Sequence, residues 1–302
     1  MIRRTWLLSM LVLAACGRGG PVDTGPPPDV KLDQANKAGT QALSMDLPSV
    51  AVRQYKVALS RAYERDDAGA IGDVSYNLAL AQMKAGDPKA AIGTAREARA
   101  ELNRRRAAVP PELILVRSPP AYRSGDLGGA GAAAQEVLDR GAKDPDVVAR
   151  PRFFRGLVAA DRGDSAGLAQ AIAALPPSKQ ADIEADRQEL KGRAALLGNQ
   201  PAEALALFEQ SAANRQQALD YRGMARALSL AGDAAVRASR ASDAADLFLR
   251  AGRSALLQGD TAMATPLLKR AEEPARQTGQ TGIVEEVARQ RKAAAERAAP
   301  RA

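Results

Sequence analysis

Residues 76–98 read YNLALAQMKAGDPKAAIGTAREA, and this stretch decides the fold. Small and apolar side chains recur at helical spacing on both sides of Gly86-Asp87. Glycine ends a helix at low conformational cost, and aspartate is a preferred N-cap of the next helix. The stretch therefore predicts two helices joined by a tight turn, with Ala79 and Ala91 among the small residues that let the helices approach.

The composition of the whole chain also favours helices. Alanine accounts for 66 of the 302 residues, whereas aromatic residues make up only 3%. Alanine is the best helix former, and sheets need β-branched and aromatic side chains on their surfaces. Because 46% of the residues are hydrophobic, the chain has enough apolar material to pack. We therefore predict an all-α fold.

The spacing of small residues recurs further along the chain. Gly192, Gly232 and Gly252 are each followed twelve residues later by alanine and sixteen residues later by phenylalanine or leucine. Weaker copies follow the Gly-Asp pairs at 125–126 and 163–164. The copies at Gly232 and Gly252 share a helix that begins near Asp243, which predicts a run of three helices there.

These segments resemble the tetratricopeptide repeat, a helical hairpin of about 34 residues. Candidate turns at residues 86, 125, 163 and 198 lie 39, 38 and 35 residues apart. The resemblance covers residues 50–280 with five or six hairpins and implies a right-handed α-solenoid of antiparallel helical hairpins. A generic alanine-rich bundle is the alternative. In the segment 76–98 the resemblance rests on Leu78, Ala79, Gly86, Asp87, Ala91, Ala95 and Ala98.

Three prolines depart from the repeat pattern. Pro119 and Pro120 interrupt what should be a first helix, and Pro151 lies inside another. The family's large aromatic positions are mostly alanine or leucine in this chain. The pattern therefore leaves the pairing of helices open in this part of the sequence.

Residues 1–15 have the arrangement of a secretory signal peptide. Arg3 and Arg4 precede an apolar run that starts at Trp6, and small residues precede Cys16. A helix of about ten residues spans roughly 15 Å, only half of a bilayer core of roughly 30 Å. We therefore expect a cleaved signal rather than a permanent transmembrane helix.

Residues 13–16, Leu-Ala-Ala-Cys, resemble the lipobox of bacterial lipoproteins. The resemblance implies that Cys16 becomes the new N-terminus and carries a diacylglycerol and an amide-linked acyl chain, with palmitate expected, and several chains anchor stably. Aspartate directly after the lipidated cysteine would favour the inner membrane, whereas Gly17 at this position favours the outer membrane. We expect a lipid-anchored protein of the bacterial cell envelope that faces the periplasm; a chance cysteine after an ordinary signal peptide is the alternative.

Residues 16–30 are rich in glycine and proline and predict a disordered tether after the lipidated cysteine. At about 3.1 Å per residue such a tether reaches roughly 40 Å. It contains Asp-Thr-Gly at 23–25, the tripeptide of aspartic proteases, but that chemistry needs two such loops on a β scaffold. Residues 31–298 then form the repeat domain. Without residues 1–15 the formal net charge falls from +8 to +6.

The residue counts exclude most catalytic designs. The chain has no histidine and a single cysteine, so imidazole bases, histidine-activated nucleophiles, disulfides and His/Cys metal clusters are excluded. Residues 163–167, Gly-Asp-Ser-Ala-Gly, match a nucleophile elbow, but a helix precedes them and no histidine exists, so they predict a turn. We expect no cofactor, no metal and no enzymatic activity.

Charged clusters are open to two interpretations. Arg104-Arg105-Arg106, in a chain with 33 arginines and 10 lysines, could indicate nucleic-acid binding, but no basic stretch is interleaved with aromatics. We interpret the run as a solvated helix end, with contact to anionic envelope material as the alternative. The acidic pairs Asp66-Asp67 and Asp144 with Asp146 lack the oxygen-rich loop that calcium needs and predict helix caps.

Arrays of helical hairpins present their first helices on a concave surface that binds an extended peptide or a partner helix. We therefore expect a membrane-anchored, non-catalytic scaffold for envelope proteins, at a pilus, secretion, outer-membrane or cell-wall assembly. It should bind partner proteins, including acidic segments, but neither nucleic acid nor a small-molecule substrate. A regulator of a peptidoglycan or glycan enzyme is the alternative, and an enzyme is the least favoured. The candidate groove-lining residues are Tyr76, Asn77, Gln82, Arg155 and Arg222.

Overall fold

The computed structural model describes residues 27–141 and 144–298. Over these residues the chain forms fifteen helices and no strand, and most consecutive helices pack against each other along the chain. The all-α solenoid of helical hairpins is therefore confirmed. The signal peptide, Cys16, the Asp-Thr-Gly tripeptide and most of the tether lie outside the described residues. No helix in the described ranges is long and apolar enough to cross a membrane.

The first four helices form two regular hairpins. Asp29 caps the first helix: its carboxylate accepts hydrogen bonds at 3.0 Å from the backbone N–H of Lys31 and Leu32. The same carboxylate binds Arg61 in the second helix at 2.8 Å and Arg65, the residue that follows this helix, at 3.2 Å. The start of the array is thereby held against its second helix. The four helices are α1 (Val30–Ser44), α2 (Pro48–Glu64), α3 (Ala68–Lys84) and α4 (Pro88–Arg104).

The central helices are irregular. Their bounds are α5 (Pro111–Leu115), α6 (Ser118–Arg123), α7 (Leu127–Asp139), α8 (Pro145–Asp161) and α9 (Ser165–Ala174). Helices α5 and α6 together take the place of one first helix, broken between them as Pro119 and Pro120 predict, because prolines lack the N–H that a continuous helix needs. Pro151 is buried inside α8 without ending that helix.

The last six helices begin every twenty residues. Each of the first five has seventeen residues and is followed by a three-residue turn, so a hairpin repeats every forty residues, longer than the family length because its helices are long. Each turn contains one left-handed residue, such as Asn199 with φ 56° and Leu219 with φ 57°. The helices are α10 (Ala181–Leu197), α11 (Pro201–Gln217), α12 (Tyr221–Arg237), α13 (Ala241–Leu257), α14 (Thr261–Gln277) and α15 (Thr281–Ala298).

The sixteen-residue spacing after glycine is a packing contact. A Cβ added at Gly232 would lie 2.5 Å from the buried Phe248 ring, and one at Gly192 would lie 2.6 Å from Phe208. Because glycine has only a hydrogen where other residues have a side chain, the first helix leaves room for the ring of the second helix. The helix that the Gly232 and Gly252 copies share is α13, which packs against both α12 and α14, but these three helices belong to a longer run that continues into α15. Equivalent contacts join Gly39 with Tyr55 and Gly252 with Leu268.

The Gly39 contact extends the array to α1, so the described residues hold seven hairpins rather than the five or six expected from residue 50 onward. The predicted turns are found, and one aspartate of each acidic pair is a helix cap, whereas Asp66 lies in the turn before α3 and Asp146 in the first turn of α8. Asp67, Asp144 and Asp164 cap α3, α8 and α9, which places the Gly-Asp-Ser-Ala-Gly segment at a turn. The arginine run at 104–106 ends α4, as predicted.

Candidate partner-binding groove

A cavity of about 500 Å³ opens among the first helices of the array. Its walls come from α3, α5, α6, α8 and α12, and the side chain of Val137 in α7 is the contribution of a second helix. Helices far apart along the chain thus face one space. Because first helices line the concave side of such solenoids, the cavity lies in the concave groove.

Much of the cavity wall is apolar. Leu80 and Met83 project from α3, Leu115 from α5, and Val147 and Phe154 from α8. Four of these side chains are partly exposed, while Phe154 is buried against Phe153 and Tyr122 with edge-to-face ring contacts. Partly exposed apolar side chains around one concavity are typical of a ligand-binding surface.

One side of the cavity carries arginines without acidic partners. Arg123 at the end of α6 and Arg222 at the start of α12 both line it, and the side chain of neither makes an ion pair or hydrogen bond with another described residue. Burial, together with Arg226 and Arg222 nearby, lowers the pKa of Arg123, while Asp260 opposes this effect. Like charges therefore converge here, since arginine side chains are always protonated in proteins.

The α3 side of the cavity is acidic. Glu112 in α5 forms no ion pair within the described chain, and it acts on the neighbouring α3 helix. Burial first, and then Glu112, raises the pKa of Tyr76, while Arg150 opposes the rise. Glu112 lies in the first turn of α5 and Arg123 in the last turn of α6, so the two charges lie at opposite ends of the broken first helix.

Arg150 connects the cavity wall to a buried ionic network. Its guanidinium donates to Asp186 of α10 at 2.6 Å and lies 5.6 Å from the centre of the Phe153 ring. Arg215 of α11 donates to the other oxygen of Asp186 at 2.7 Å. A carboxylate shared by two arginines therefore joins α8, α10 and α11 behind the groove.

Arg215 is the centre of this network. Its side chain is completely buried and also binds Glu189 at 3.1 Å and Asp220 at 2.8 Å. Burial opposes its charge, but Asp186, Glu189 and Asp220 raise the pKa of Arg215. Burial raises the pKa of Glu189, but Arg226, Arg193 and Arg215 lower it by more than burial raises it. Glu189 and Arg215 therefore both stay ionised. The network fixes the position of α12, and hence of Arg222.

The structure brings two of the five predicted groove residues to this cavity. Tyr76 and Arg222 line it. Gln82 is buried at 6% exposure and accepts a hydrogen bond from the Thr94 hydroxyl at 2.9 Å inside the second hairpin.

The other two predicted residues lie elsewhere. Asn77 donates to Asn36 of α1 at 3.3 Å. Arg155 is exposed, binds Gln135 of α7, and lines two smaller depressions formed with α9 rather than the cavity. Whether Arg155 contacts a partner there stays a prediction.

Sequence reasoning missed Arg123, Arg150 and Glu112. The signal for Arg123 and Glu112 was present, because both flank the proline interruption that marks a broken first helix. The convergence of Arg123 with Arg222 depends on the curvature of the array, which no local pattern encodes.

The described helices form an α-solenoid of helical hairpins with a tetratricopeptide-like fold. No protein-family model matches the chain, and no curated protein matches it. Among solved structures, the chain is similar to a Rap protein complexed with competence and sporulation factor, with a TM-score of 0.52 and 14% identity. The match covers 89% of this chain and 98% of the Rap chain. At this identity the likeness shows the fold.

Two further structures have lower scores. A tetratricopeptide repeat protein from Parabacteroides merdae has a TM-score of 0.47 and 13% identity, covering 85% of this chain and 99% of its own. The TPR2AB domain of yeast Sti1, in a complex described as pHSP90, has a TM-score of 0.34 and 15% identity, covering 87% and 98%.

Proposed function

We propose that this protein is a lipid-anchored, non-catalytic scaffold of the bacterial cell envelope that binds a partner protein in its concave groove. The observation that carries the proposal is the cavity of about 500 Å³, with partly exposed apolar walls and the unpartnered Arg123 and Arg222. A surface that leaves apolar groups and like charges together is suited to an external ligand.

The position of the tether supports anchoring without loss of the groove. Asp29 caps α1 and binds Arg61 and Arg65, so the chain enters the array at its first hairpin. The cavity begins only at α3 and extends to α12. A lipid on Cys16 would therefore hold the protein by one end and leave the groove open.

A binding role fits the chemistry of the cavity better than catalysis. Its wall contains arginines, two acidic residues, one tyrosine and apolar side chains, and the chain has no histidine. Arg150 is held by Asp186, which favours a structural role for that charge. These groups suit recognition by shape and charge.

Lipidation is tested by growing cells with an alkyne analogue of palmitate and isolating the tagged full-length protein. We expect label in the native chain, located in the outer-membrane fraction, and none in Cys16→Ser. An unlabelled native protein, or Cys16→Ser that remains membrane-bound after a salt wash, would contradict the anchor.

Groove binding is tested by placing a photoreactive phenylalanine analogue at Tyr76 in living cells. The matched control is Tyr63, which is 41% exposed on α2, where Glu101 and Glu97 of α4 influence it, and so lies among second helices. We expect one envelope protein cross-linked from position 76 and not from position 63. Equal cross-linking from both positions, or none from 76, would contradict a partner in the groove.

A further inference from the structure

The partner of this groove can be described by its chemistry, on the basis of the proposed function. We propose that the cavity binds a protein segment in which a large apolar side chain lies beside acidic residues. The apolar side chain would lie between α5 and α8, and the acidic groups between Arg123 and Arg222. The segment is thus asymmetric in charge, with its acidic end toward α12.

The apolar part follows from the size and lining of the cavity. Pockets that bind ligands have volumes of about 300 to 1,000 Å³, so a space of about 500 Å³ accommodates one or two large side chains. Leu80, Leu115 and Val147 provide apolar contact surface that is only half-buried in the free protein. Covering such a surface with an apolar side chain is favourable.

The acidic part follows from charge complementarity. The fold holds Arg123 and Arg222 on one cavity wall without a carboxylate partner among the described residues, although this array pairs many of its other arginines. Arg150 shows the contrast, because Asp186 binds it at 2.6 Å. A carboxylate placed between two free guanidinium groups accepts charge-assisted hydrogen bonds from both and offsets their repulsion.

The asymmetry follows from Glu112 on the α3 side. Glu112 lines the cavity from the first turn of α5, at the other end of the broken first helix from Arg123, and no arginine binds it within the described residues. An acidic residue at that side of the cavity would meet a like charge, whereas a lysine or a neutral residue would not. The same segment placed the other way round would therefore bind poorly.

The experiment measures the fluorescence anisotropy of labelled synthetic peptides on the full-length protein in detergent. The probe peptide carries three acidic residues, a glycine, a Leu-Phe pair and a lysine, and it is made in both sequence orders because a segment can run either way. One control peptide replaces the acids by their amides, and another replaces Leu-Phe by two serines. We expect at least one order of the probe peptide to bind about tenfold more tightly than either control.

Protein variants locate the binding. We expect Arg123→Gln and Arg222→Gln each to weaken binding of the probe peptide about fivefold, with a smaller effect at high salt. Leu80→Trp should fill the cavity and abolish binding. The matched control is Arg237→Gln, because Arg237 is exposed at the far end of α12, roughly 22 Å from Arg222 at 1.5 Å per residue. Circular dichroism melting verifies that each variant is folded.

Three results would overturn the inference: neither order of the probe peptide binds, the amide peptide binds equally well, or Arg123→Gln and Arg237→Gln behave alike. Binding of phosphatidylglycerol vesicles that depends on Arg123 and Arg222, without peptide binding, would also overturn it. Failure of the peptide with continued cross-linking from Tyr76 contradicts this inference alone. Peptide binding in a protein that is not lipidated on Cys16 contradicts the proposed anchoring alone.

Discussion

The last six helices and the central five solve the same packing problem differently. From α10 to α15 each helix starts twenty residues after the one before it, with the same three-residue turn. From α5 to α9 one first helix is broken, α7 has thirteen residues and α9 has ten. In the regular region small residues at the helix contacts, such as Ala204, Ala231 and Ala244, are completely buried, whereas the irregular region supplies most of the cavity wall.

The difference shows how a repeat array makes room for a ligand. In the regular region Gly192 and Gly232 each admit a ring of the next helix, Phe208 and Phe248, and little space remains at these contacts. At the broken helix the chain turns at Val116 and Arg117, so side chains from both α5 and α6 reach the groove. The broken helix therefore produces most of the cavity wall. The curvature of the regular repeats brings α12 to the cavity as its last wall.

The largest effect is expected where the two regions meet, at Arg215. Replacing it by alanine leaves Asp186 and Glu189 buried. The carboxylate of Glu189 would then form ion pairs only with Arg193 and, at a longer distance, with Arg226. Removing one member of a buried ionic network costs about 3–5 kcal/mol. We expect Arg215→Ala to lose that much unfolding free energy in urea titrations.

The matched control for Arg215→Ala is Arg250→Ala. Arg250 pairs with Asp246 at 3.2 Å, and both side chains are about half exposed. Exposed pairs contribute about 0–1 kcal/mol, so this substitution should leave the urea midpoint nearly unchanged. Equal losses in the two variants would show that the network does not join the regular and irregular regions.

The next effect tests close packing in the regular region. A Cβ at Gly232 would lie 2.5 Å from the ring of Phe248, which is 1% exposed and stacked by Arg270 at 4.1 Å. Overpacking costs about 1–3 kcal/mol, against a helix-propensity gain of about 1 kcal/mol. We expect Gly232→Ala to lower the melting temperature measured by circular dichroism.

Gly93 provides the opposite case for the same substitution. It lies inside α4, and a Cβ there would meet nothing within 4 Å. Gly93→Ala should therefore gain up to about 1 kcal/mol from helix propensity alone and raise the melting temperature. If both alanine variants shift in the same direction, the close contact at Gly232 is not what stabilises the regular region.

The comparison also explains which features the sequence could predict. Glycine followed by a large residue sixteen positions later is a local pattern, so the contacts of Gly192 and Gly232 could be predicted. Gly39 with Tyr55 carries the same pattern but precedes the range assigned to the repeats. Left-handed turns at residues such as Leu219 carry no glycine signal, so the twenty-residue period was not recognised from turns alone.

The candidate site was predicted only in part, for a physical reason. Tyr76 and Arg222 were expected on first helices, and a helix position can be deduced from periodicity. The meeting of Arg222 with Arg123 requires the accumulated rotation between several hairpins, and small changes at each interface move distant helices. Gln82 has the periodicity of a first helix, but its face is turned into the hairpin toward Thr94.

A smaller effect tests the turns of the regular region. Leu219 adopts φ 57°, a left-handed conformation that is strained for a residue with a Cβ, and its side chain is 71% exposed. Leu219→Gly should relieve this strain and stabilise the fold by about 0.5–1 kcal/mol after the entropy of the unfolded chain is subtracted. The gain would be measured as a higher urea midpoint.

Gly259 occupies the left-handed position in a later turn of the regular region, twenty residues before Gly279. It allows the reverse substitution, from glycine to leucine. It has φ 79°, and a Cβ there would meet nothing within 4 Å, so Gly259→Leu introduces backbone strain without a clash. We expect a lower urea midpoint for this variant. A neutral result for both variants would mean that the backbone of these turns adapts to either residue.

The smallest and most local effect is expected at the start of the array. Hydrogen bonding from the Leu32 backbone N–H and binding by Arg61 and Arg65, opposed by burial, lower the pKa of Asp29 from its ordinary 3.8 to about 2. Because the folded state favours the ionised form, the stabilisation is complete above pH 4 and is lost as the pH falls toward 2. Asp29→Asn should therefore have a lower melting temperature than the native protein at pH 6 but the same melting temperature at pH 2. Carboxyl-carbon NMR of the native protein should give the titration midpoint of Asp29 directly.

Amide exchange in α1 should accelerate in Asp29→Asn while exchange in α13 stays unchanged, since the first hairpin contacts only its neighbours. Acceleration in α13 as well would mean that the array unfolds as one cooperative unit, and the contrast between its regular and irregular regions would then concern geometry and not stability.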